Sequence, residues 1–332
     1  MIRTAHNSKS TLVTIMGASL CVLCFVIIFP SSGRSVSTNG IASPANGSLE
    51  RELVQLQKEK GQSVFWNDRD SIQFIIFGSR HVATVKGISI PSDALIVGIS
   101  PAITRIAVLR PFPPLTSGHL EILRKDGTVV EKFPELFGGQ MCWSPNNSTA
   151  VLTASDRKNG GLRDTGLRTL DVASGETKTI DSEGRVTSQC WSSNGDGFVY
   201  GASGSVWLYN TRDAKSHQLA QGHDPTWSPD GAWIAFADHD AYYAIQPSGE
   251  RRKLLFKRKN PGGGLVWSPD SRIVAYSSQA GLSQSFPVID VETYRLHFRR
   301  LADGSEYSPI DENISGSEFQ WMTNPEFAVS QK

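Results

Sequence analysis

The sequence predicts an all-β fold, a six-bladed β-propeller of four-stranded antiparallel blades. Three observations support it. A tryptophan-containing hairpin motif recurs along the chain, a second strand pair follows most copies, and the two chain ends carry complementary parts of one blade. Repeats of about 40 residues, each with four short strands, are typical of propeller blades.

The recurring motif is clearest in TWSPDGAWIAFAD, which begins at Thr226. Its Ser-Pro-Asp-Gly segment predicts a tight turn between two strands, because proline presets φ, aspartate bonds its own backbone and glycine accepts positive φ. The tryptophan, or an isoleucine in its place, stands at six anchor positions: Ile99, Trp143, Trp191, Trp227, Trp267 and Trp321. Successive anchors are 44, 48, 36, 40 and 54 residues apart, and we expect them to fill the gaps between blades.

A second strand pair follows the hairpin in five repeats. We predict strand, turn and strand in HLEILRKDGTVVEKF from His119, LRTLDVASGETKTI from Leu167, VWLYNTRDAKSHQLA from Val206, YYAIQPSGERRKLLF from Tyr242 and FPVIDVETYRLHFRR from Phe286. Each repeat therefore supplies four antiparallel strands.

The ring is predicted to close by joining the two ends of the repeat region. Residues 318–330 supply only a first hairpin, and residues 72–86, IQFIIFGSRHVATVK, have the form of an outer strand pair. Joining residues 62–90 with 315–330 leaves no half-blade with an open edge. A seventh blade would need a further hairpin, and the candidate strand around Trp66 is used by this closure. The six-bladed propeller then occupies residues 62–332.

The chain ahead of the propeller predicts a membrane anchor. Residues 11–29 are an apolar run free of charges, long enough to span a bilayer, and the basic flank 1–10 favours a cytoplasmic N-terminus. This signal-anchor would place the propeller outside the membrane, in the periplasm if the source is bacterial; a removable signal peptide is the alternative. Residues 30–61 form a tether and a short helix. The helix carries Leu49, Leu53 and Leu56 on one face and ends at Gly61.

Charge excludes one class of partner. The chain has 33 basic and 32 acidic residues, a formal net charge of +1, and no basic stripe, which argues against nucleic acid. The basic segment RRKLLFKRK, residues 251–259, is interpreted as a solvated blade edge.

The four cysteines fall into two pairs. Cys21 and Cys24 lie in the apolar run and are interpreted as membrane-segment residues. Cys142 and Cys190 each precede an anchor tryptophan in adjacent blades, which in an oxidising compartment invites a disulfide. Equivalent positions fan around a channel and tend to exceed the Cα separation of about 7 Å that a disulfide tolerates, so we expect free thiols.

The Trp-Ser-Pro-Asp-Gly turn and the strand after it resemble the TolB-like propeller family over residues 62–330. Residues 227–231 match the motif in full, and residues 267–270 match four of five positions. The resemblance implies an extracytoplasmic interaction scaffold, since TolB docks a peptidoglycan-associated lipoprotein over one mouth of its propeller. We expect no counterpart of the α/β domain that precedes the TolB propeller.

Catalytic motifs are absent from the sequence. Gly201–Ser205 lacks the final glycine of a G-x-S-x-G elbow, and neither a phosphate loop nor H-E-x-x-H occurs. We therefore predict a non-enzymatic scaffold with no cofactor and no metal, binding an envelope or extracellular protein or glycan. The alternative is a propeller enzyme, a lyase or hydrolase acting on a glycan or peptide at the channel mouth with a bound cation.

The binding site is predicted at one mouth of the channel. The residues four before each tryptophan should ring this mouth: Gly139, Thr187, His223, Gly263 and Ser317, with Gln140 beside the first. Small residues dominate, so His223 and its neighbour Asp224 stand out, with Thr187 and Gln140 as further contacts. Alternatively, Asp224 caps the turn before Pro225, and His223 faces water without a role.

Overall fold

A computed structural model describes residues 46–68, 71–79, 81–101, 103–112, 117–133, 137–158, 161–181, 186–258, 261–283, 291–310, 314 and 319–323. The predicted anchor at 11–29 and its flank lie outside these residues. Within the described part of the chain, no helix is long and apolar enough to cross a membrane.

In chain order the elements are α1 (Asn46–Lys60), β1 (Gln62–Asp68), β2 (Ser71–Ile76), β3 (His81–Thr84), β4 (Leu95–Ile99), β5 (Ile106–Phe112), β6 (Ser117–Leu123), β7 (Val129–Phe133), β8 (Phe137–Trp143), β9 (Thr149–Lys158), β10 (Gly161–Asp171), β11 (Thr177–Asp181), β12 (Val186–Trp191), β13 (Gly197–Ala202), β14 (Ser205–Asn210), β15 (Lys215–Gln221), β16 (His223–Trp227), β17 (Ile234–Asp238), β18 (Ala241–Ile245), β19 (Arg252–Lys257), β20 (Pro261–Trp267), β21 (Ile273–Ser283), β22 (Val291–Arg300), β23 (Glu306–Tyr307) and β24 (Phe319–Thr323).

These strands form six antiparallel four-stranded sheets, which confirms the predicted six-bladed propeller. Blades 1 to 5 are consecutive meanders: β4–β7, β8–β11, β12–β15, β16–β19 and β20–β23. Blade 6 has the order β24-β1-β2-β3. The first strands of consecutive blades contact each other from β4 through β8, β12, β16 and β20 to β24, so these six strands are innermost.

Blade 6 joins the chain ends as predicted, but the division of its strands differs. The C-terminal segment supplies β24 within the described residues, and the N-terminal segment supplies three strands. Strand β24 pairs with β1, from Gln62↔Thr323 to Trp66↔Phe319, and not with residues 72–86. The reason is that Val64, Phe65 and Trp66 are all buried, so β1 is covered on both faces and must lie inside the sheet.

The outer half of blade 5 also differs from the prediction. A strand, a turn and a second strand were expected within residues 286–300, but in the described part of this segment β22 runs continuously from Val291 to Arg300. The chain turns later, at Leu301–Gly304, where Gly304 has φ +71° and Asp303 accepts a hydrogen bond from the Ser305 amide. The outer strand is therefore β23, only two residues long.

Each anchor lies in a different apolar cluster between two blades. Ile99 packs between blades 6 and 1, Trp143 between 1 and 2, Trp191 between 2 and 3, Trp227 between 3 and 4, Trp267 between 4 and 5, and Trp321 between 5 and 6. None of the five indole N–H groups finds a hydrogen-bond acceptor among the described residues. The anchors therefore act by filling volume, which explains how isoleucine replaces tryptophan at position 99.

The Ser-Pro turns follow the anchors and hold the hairpins together. The Ser228 hydroxyl donates to Asp230 Oδ1 at 2.6 Å, and Ser228 Oγ accepts the Trp233 amide at 2.9 Å. The same serine bonds recur at the turns that begin at Ser144, Ser192 and Ser268. All of these turns lie at one end of the propeller, called here the turn face.

Helix α1 covers the junction of blades 5 and 6. Leu49, Leu53 and Leu56 are buried in the cluster between these blades. The Gln57 side chain donates to the Ile75 carbonyl at 2.7 Å and accepts the Phe77 amide at 3.0 Å. The helix therefore extends the apolar core at the blade that joins the chain ends.

A buried charge network lies between blades 6 and 1. Glu121 is 4% exposed, and its carboxylate contacts His119 Nε2 at 2.7 Å, Arg110 Nε at 3.0 Å and Lys132 Nζ at 3.3 Å. Burial raises the pKa of Glu121, but the hydrogen bonds from His119, Arg110 and Lys132 together outweigh it, so the pKa lies below its ordinary value of 4.5. The carboxylate therefore stabilises the fold in its charged form.

The first prediction concerns closure. A chain that ends at residue 318 lacks β24, whereas a chain that ends at Thr323 keeps every pair between β24 and β1. The shorter chain should lose at least about 5 kcal/mol of unfolding free energy, since truncating one buried Phe or Trp costs about 3–5 kcal/mol. Calorimetry should show its whole transition moved to lower temperature. Equal melting temperatures for the two chains would contradict the closure.

The second prediction concerns Glu121. Because its folded-state pKa is depressed, its contribution is present above about pH 4.5 and disappears as the pH falls through the folded-state value. Glu121→Gln should lower the unfolding free energy at pH 7 by about 2–3 kcal/mol and flatten its loss in acid. Urea titrations from pH 7 to pH 3 measure this. The control is Glu131→Gln on β7, outside the network, and a matching loss there would refute the assignment.

Candidate functional site

The candidate site lies at the end of the propeller opposite the turn face, where the innermost strands begin; this end is called the entry face. The innermost strands of blades 1 to 5 each carry a register shift here, just before their anchor: at Ile96/Gly98, Gly138/Met141, Val186/Ser188, His223/Thr226 and Pro261/Leu265. Such β-bulges bend a strand and redirect its side chains, and they are common at barrel rims and active sites. The bulges form a ring around the channel.

The residues predicted to ring the mouth fall at or beside these bulges. Gly139 and Gln140 lie in the shift of β8 and are half-buried, and Thr187 lies in the shift of β12. Gly263 lies in the shift of β20, whereas Ser317 lies outside the described residues. These positions share the level of the register shifts, whereas the bulges themselves are not evident from the sequence.

His223 and Asp224 are in contact. His223 Nδ1 lies 3.0 Å from Asp224 Oδ2, and the two side chains are 43% and 22% exposed. Asp224 adopts a left-handed backbone conformation, φ 51°, which is rare for residues other than glycine. Gly222 before it has φ 142°, and a Cβ there would approach the Ala237 carbonyl oxygen to 2.6 Å. The backbone is therefore held in an unusual path that presents the imidazole–carboxylate pair at the mouth.

A buried arginine and tyrosine lie behind Asp224. Arg258 Nη1 donates to the Tyr242 hydroxyl at 2.7 Å, and its guanidinium carbon lies 4.4 Å from the ring centroid. Burial raises the pKa of Tyr242 to about 12, with Arg258 opposing the shift and the Asp224 carboxylate adding to it. The phenol is thus a neutral hydrogen-bonding group at neutral pH.

Glycines of blade 5 face this group. Residues 262–264 are all glycine and occupy the bulge of β20. A Cβ placed on Gly264 would lie 3.6 Å from the Cβ of Asp224, so the aspartate packs directly against this backbone. Glycine within a strand often marks a place where a ligand or another backbone approaches closely.

The rim of the entry face is uneven in height. Strand β21 continues five residues past its last pair with β20, about 17 Å, and β9 continues three residues past its last pair with β8, about 10 Å. In blade 3, β13 ends level with the start of β12, and in blade 4, β17 runs only one residue past the start of β16. The rim is therefore low over blades 3 and 4, and the pair at residues 223–224 lies beside the tall hairpin of blade 5.

Blade 5 contains a serine–histidine pair that was not predicted from the sequence. His297 Nε2 lies 2.7 Å from Ser278 Oγ, and Nδ1 lies 2.9 Å from Ser308 Oγ. Tyr276 stacks on the imidazole at 5.1 Å, and burial lowers the pKa of His297, which favours the neutral ring. The pair is set by the register of β21 and β22, which the sequence does not reveal.

Within the described residues, no group of three His, Cys, Asp or Glu side chains is arranged to hold a metal ion. The described residues at the mouth supply hydrogen-bond donors, a carboxylate and backbone without side chains. These groups suit the binding of a polar partner.

No family model matches the chain. A search of curated proteins also finds no match. Solved structures do resemble it. TolB from Acinetobacter baumannii aligns with a TM-score of 0.54 at 16% identity over 78% of this chain, which spans 65% of that protein's length.

Two further solved structures align with lower scores. An oligogalacturonate lyase in complex with manganese has a TM-score of 0.49 at 12% identity, over 72% of this chain and 70% of that one. A nidogen/laminin complex has a TM-score of 0.49 at 9% identity, over 78% of this chain and 96% of that one. At 16% identity the likeness to TolB establishes architecture alone. The fold of this chain is that of a TolB-like six-bladed propeller.

Proposed function

We propose that the chain is a non-enzymatic binding scaffold, a membrane-tethered propeller outside the cytoplasm that takes an envelope or extracellular protein or glycan on its entry face. The observation that carries the proposal is the low rim over blades 3 and 4, bounded by the tall hairpins of blades 2 and 5. A partner can lie across this opening and reach the bulged ring.

The chemistry of the mouth supports a polar partner. His223 and Asp224 offer a donor and an acceptor at the edge of the opening, and the glycines at 262–264 leave the neighbouring backbone uncovered. Gln140 and Thr187 extend the contact along the ring.

The membrane tether rests on the composition of residues 11–29. A reporter fused after Lys332 should therefore be active as an exported phosphatase and inactive as a cytoplasmic fluorescent protein. Deleting residues 11–29 should abolish phosphatase activity, because export then fails. Fluorescence from the full chain, together with an inactive phosphatase fusion, would contradict the tether and leave the binding site untouched.

A second candidate is the hydrolytic alternative. The Ser278–His297 contact favours it, because a serine hydroxyl bonded to a neutral imidazole is the arrangement that activates a nucleophile. In a catalytic triad a carboxylate contacts the second nitrogen of the histidine. Here that position is taken by the Ser308 hydroxyl, which does not stabilise an imidazolium as a carboxylate does. Covalent labelling of Ser278 by a fluorophosphonate, lost in His297→Ala, would favour this function over the scaffold.

Site-directed photo-crosslinking tests the binding function. Gln221 and Lys215 are the two ends of the exposed strand β15, one at the entry face and one at the turn face. A photoreactive residue at 221, in the full chain in its native membranes, should give a discrete adduct that the same residue at 215 does not. Adducts from 215 alone would contradict an entry-face site.

Variants at the mouth sharpen this test. His223→Ala should reduce the yield of the adduct from position 221 roughly tenfold, because the partner loses one hydrogen bond to the imidazole. Asp224→Gly should keep or raise the melting temperature, because glycine accepts the left-handed backbone, yet weaken the adduct similarly. Unchanged adducts in both variants would remove residues 223 and 224 from the site.

A further inference from the structure

The outer edge of blade 4 has an unusual charge. Its outermost strand, β19, has the sequence RKLLFK, with three basic side chains and no acidic one. The outermost strands of the other five blades each carry at most one lysine or arginine: β3, β7, β11, β15 and β23. Solvation alone, the interpretation made from the sequence, does not explain why the charge is concentrated on one blade.

The positive charge of this edge is largely uncompensated. Residues 250–258 contain five basic side chains and one acidic side chain, Glu250. Arg252 pairs with Asp238. Within the described residues, three of the other cations form no ion pair: Arg251, Lys253 and Lys257. The edge therefore attracts a negatively charged partner.

Two of the cations are fixed in position by aromatic rings. The Arg252 guanidinium carbon lies 4.0 Å from the centroid of the Tyr243 ring, and Nη2 donates to Asp238 Oδ2 at 2.7 Å. The Lys253 ammonium nitrogen lies 3.8 Å from the centroid of the Trp233 ring. Because these side chains are already ordered, a partner that binds them removes less conformational entropy.

The backbone of β19 also offers hydrogen bonds. Among the described strands, β18 alone pairs with β19, so the second edge of β19 lies open. The inward bonds begin at Arg251, whose carbonyl accepts the Gln246 amide at 3.0 Å. Because the backbone groups of successive strand residues point to alternate sides, the N–H and C=O groups of Arg252 and Leu254 point outward. These four groups can pair with an added strand.

An apolar side chain lies between the cations. Leu254 is 51% exposed, the highest value among the large hydrophobic side chains that the structure describes. Basic residues alone protect an open edge from pairing with another chain. An exposed leucine at the centre of the edge opposes that protection, and it supplies the apolar contact that strand addition uses for specificity.

We propose that the open edge of β19 is a docking site for an extended acidic segment of a partner protein, which adds a fifth strand to blade 4. Backbone bonds to Arg252 and Leu254 hold the segment. Acidic side chains opposite Arg251 and Lys253 select it, because side chains lie closest in the pairs that do not exchange hydrogen bonds. This site is separate from the entry face, and it does not depend on the binding proposed there.

Peptide binding to the full chain, purified in detergent, tests the proposal. The probe is a fluorescent decapeptide of alternating glutamate and valine, and fluorescence anisotropy should show saturable binding with a Kd below about 1 mM. N-methylation of its valines removes the amides that face β19 and should abolish binding. N-methylation of its glutamates alters the opposite edge and should leave binding intact. A peptide of alternating lysine and valine should not bind.

Variants of the chain place the site. Lys253→Glu should weaken binding of the acidic peptide roughly tenfold, because repulsion replaces attraction. Leu254→Pro removes an outward N–H without removing a bond to β18, and it should abolish binding. The matched control is Lys215→Glu, which changes an exposed lysine on the outermost strand of blade 3 and should leave the Kd unchanged.

Two results would overturn the proposal. Equal binding of the two N-methylated peptides would mean that the edge attracts anions without adding a strand. Equal Kd values for Lys253→Glu, Lys215→Glu and the unmodified chain would place the peptide elsewhere.

Discussion

The pairing of β24 with β1 is the interaction on which the rest of the ring depends. It supplies the innermost strand of blade 6, and with it Phe319 and Trp321 between blades 5 and 6 and Met322 between blades 6 and 1. Without this strand, two of the six junctions lose residues from their cores. Because a propeller blade buries both faces on its neighbours, an incomplete junction exposes apolar surface on either side. The positions of the mouth residues follow from the closed ring.

The junction between two blades changes character along the channel axis, from apolar near the turn face to polar near the entry face. Near the turn face each is filled by an anchor that needs no hydrogen bond, such as Trp267 between blades 4 and 5. Towards the entry face the same junction turns polar, with Tyr242, Arg258 and Asp224 against the glycines of β20. The apolar level fixes the spacing of the blades, and the bulges above it shape the mouth. Stability and binding therefore rest on different levels of one interface.

The sequence predicts this fold well because its strongest signals are local. The Ser-Pro-Asp-Gly turn and the anchor before it recur with the fold's own period, so six blades follow without knowledge of any long-range contact. The features that the sequence did not predict depend on which strands pair and in what register. The burial of Val64 and Phe65 on opposite faces makes β1 an inner strand. The pair of Ser278 and His297 depends on the register of two long strands, which the sequence does not reveal.

Native-state hydrogen exchange tests most directly whether the joined blade makes the ring one cooperative unit. The amides of β24 and β1 should exchange with the same opening free energy as those of β13, on the far side of the ring, and that value should equal the global free energy of unfolding. Exchange of β24 and β1 through a local opening several kcal/mol less costly, with β13 still protected, would contradict the account.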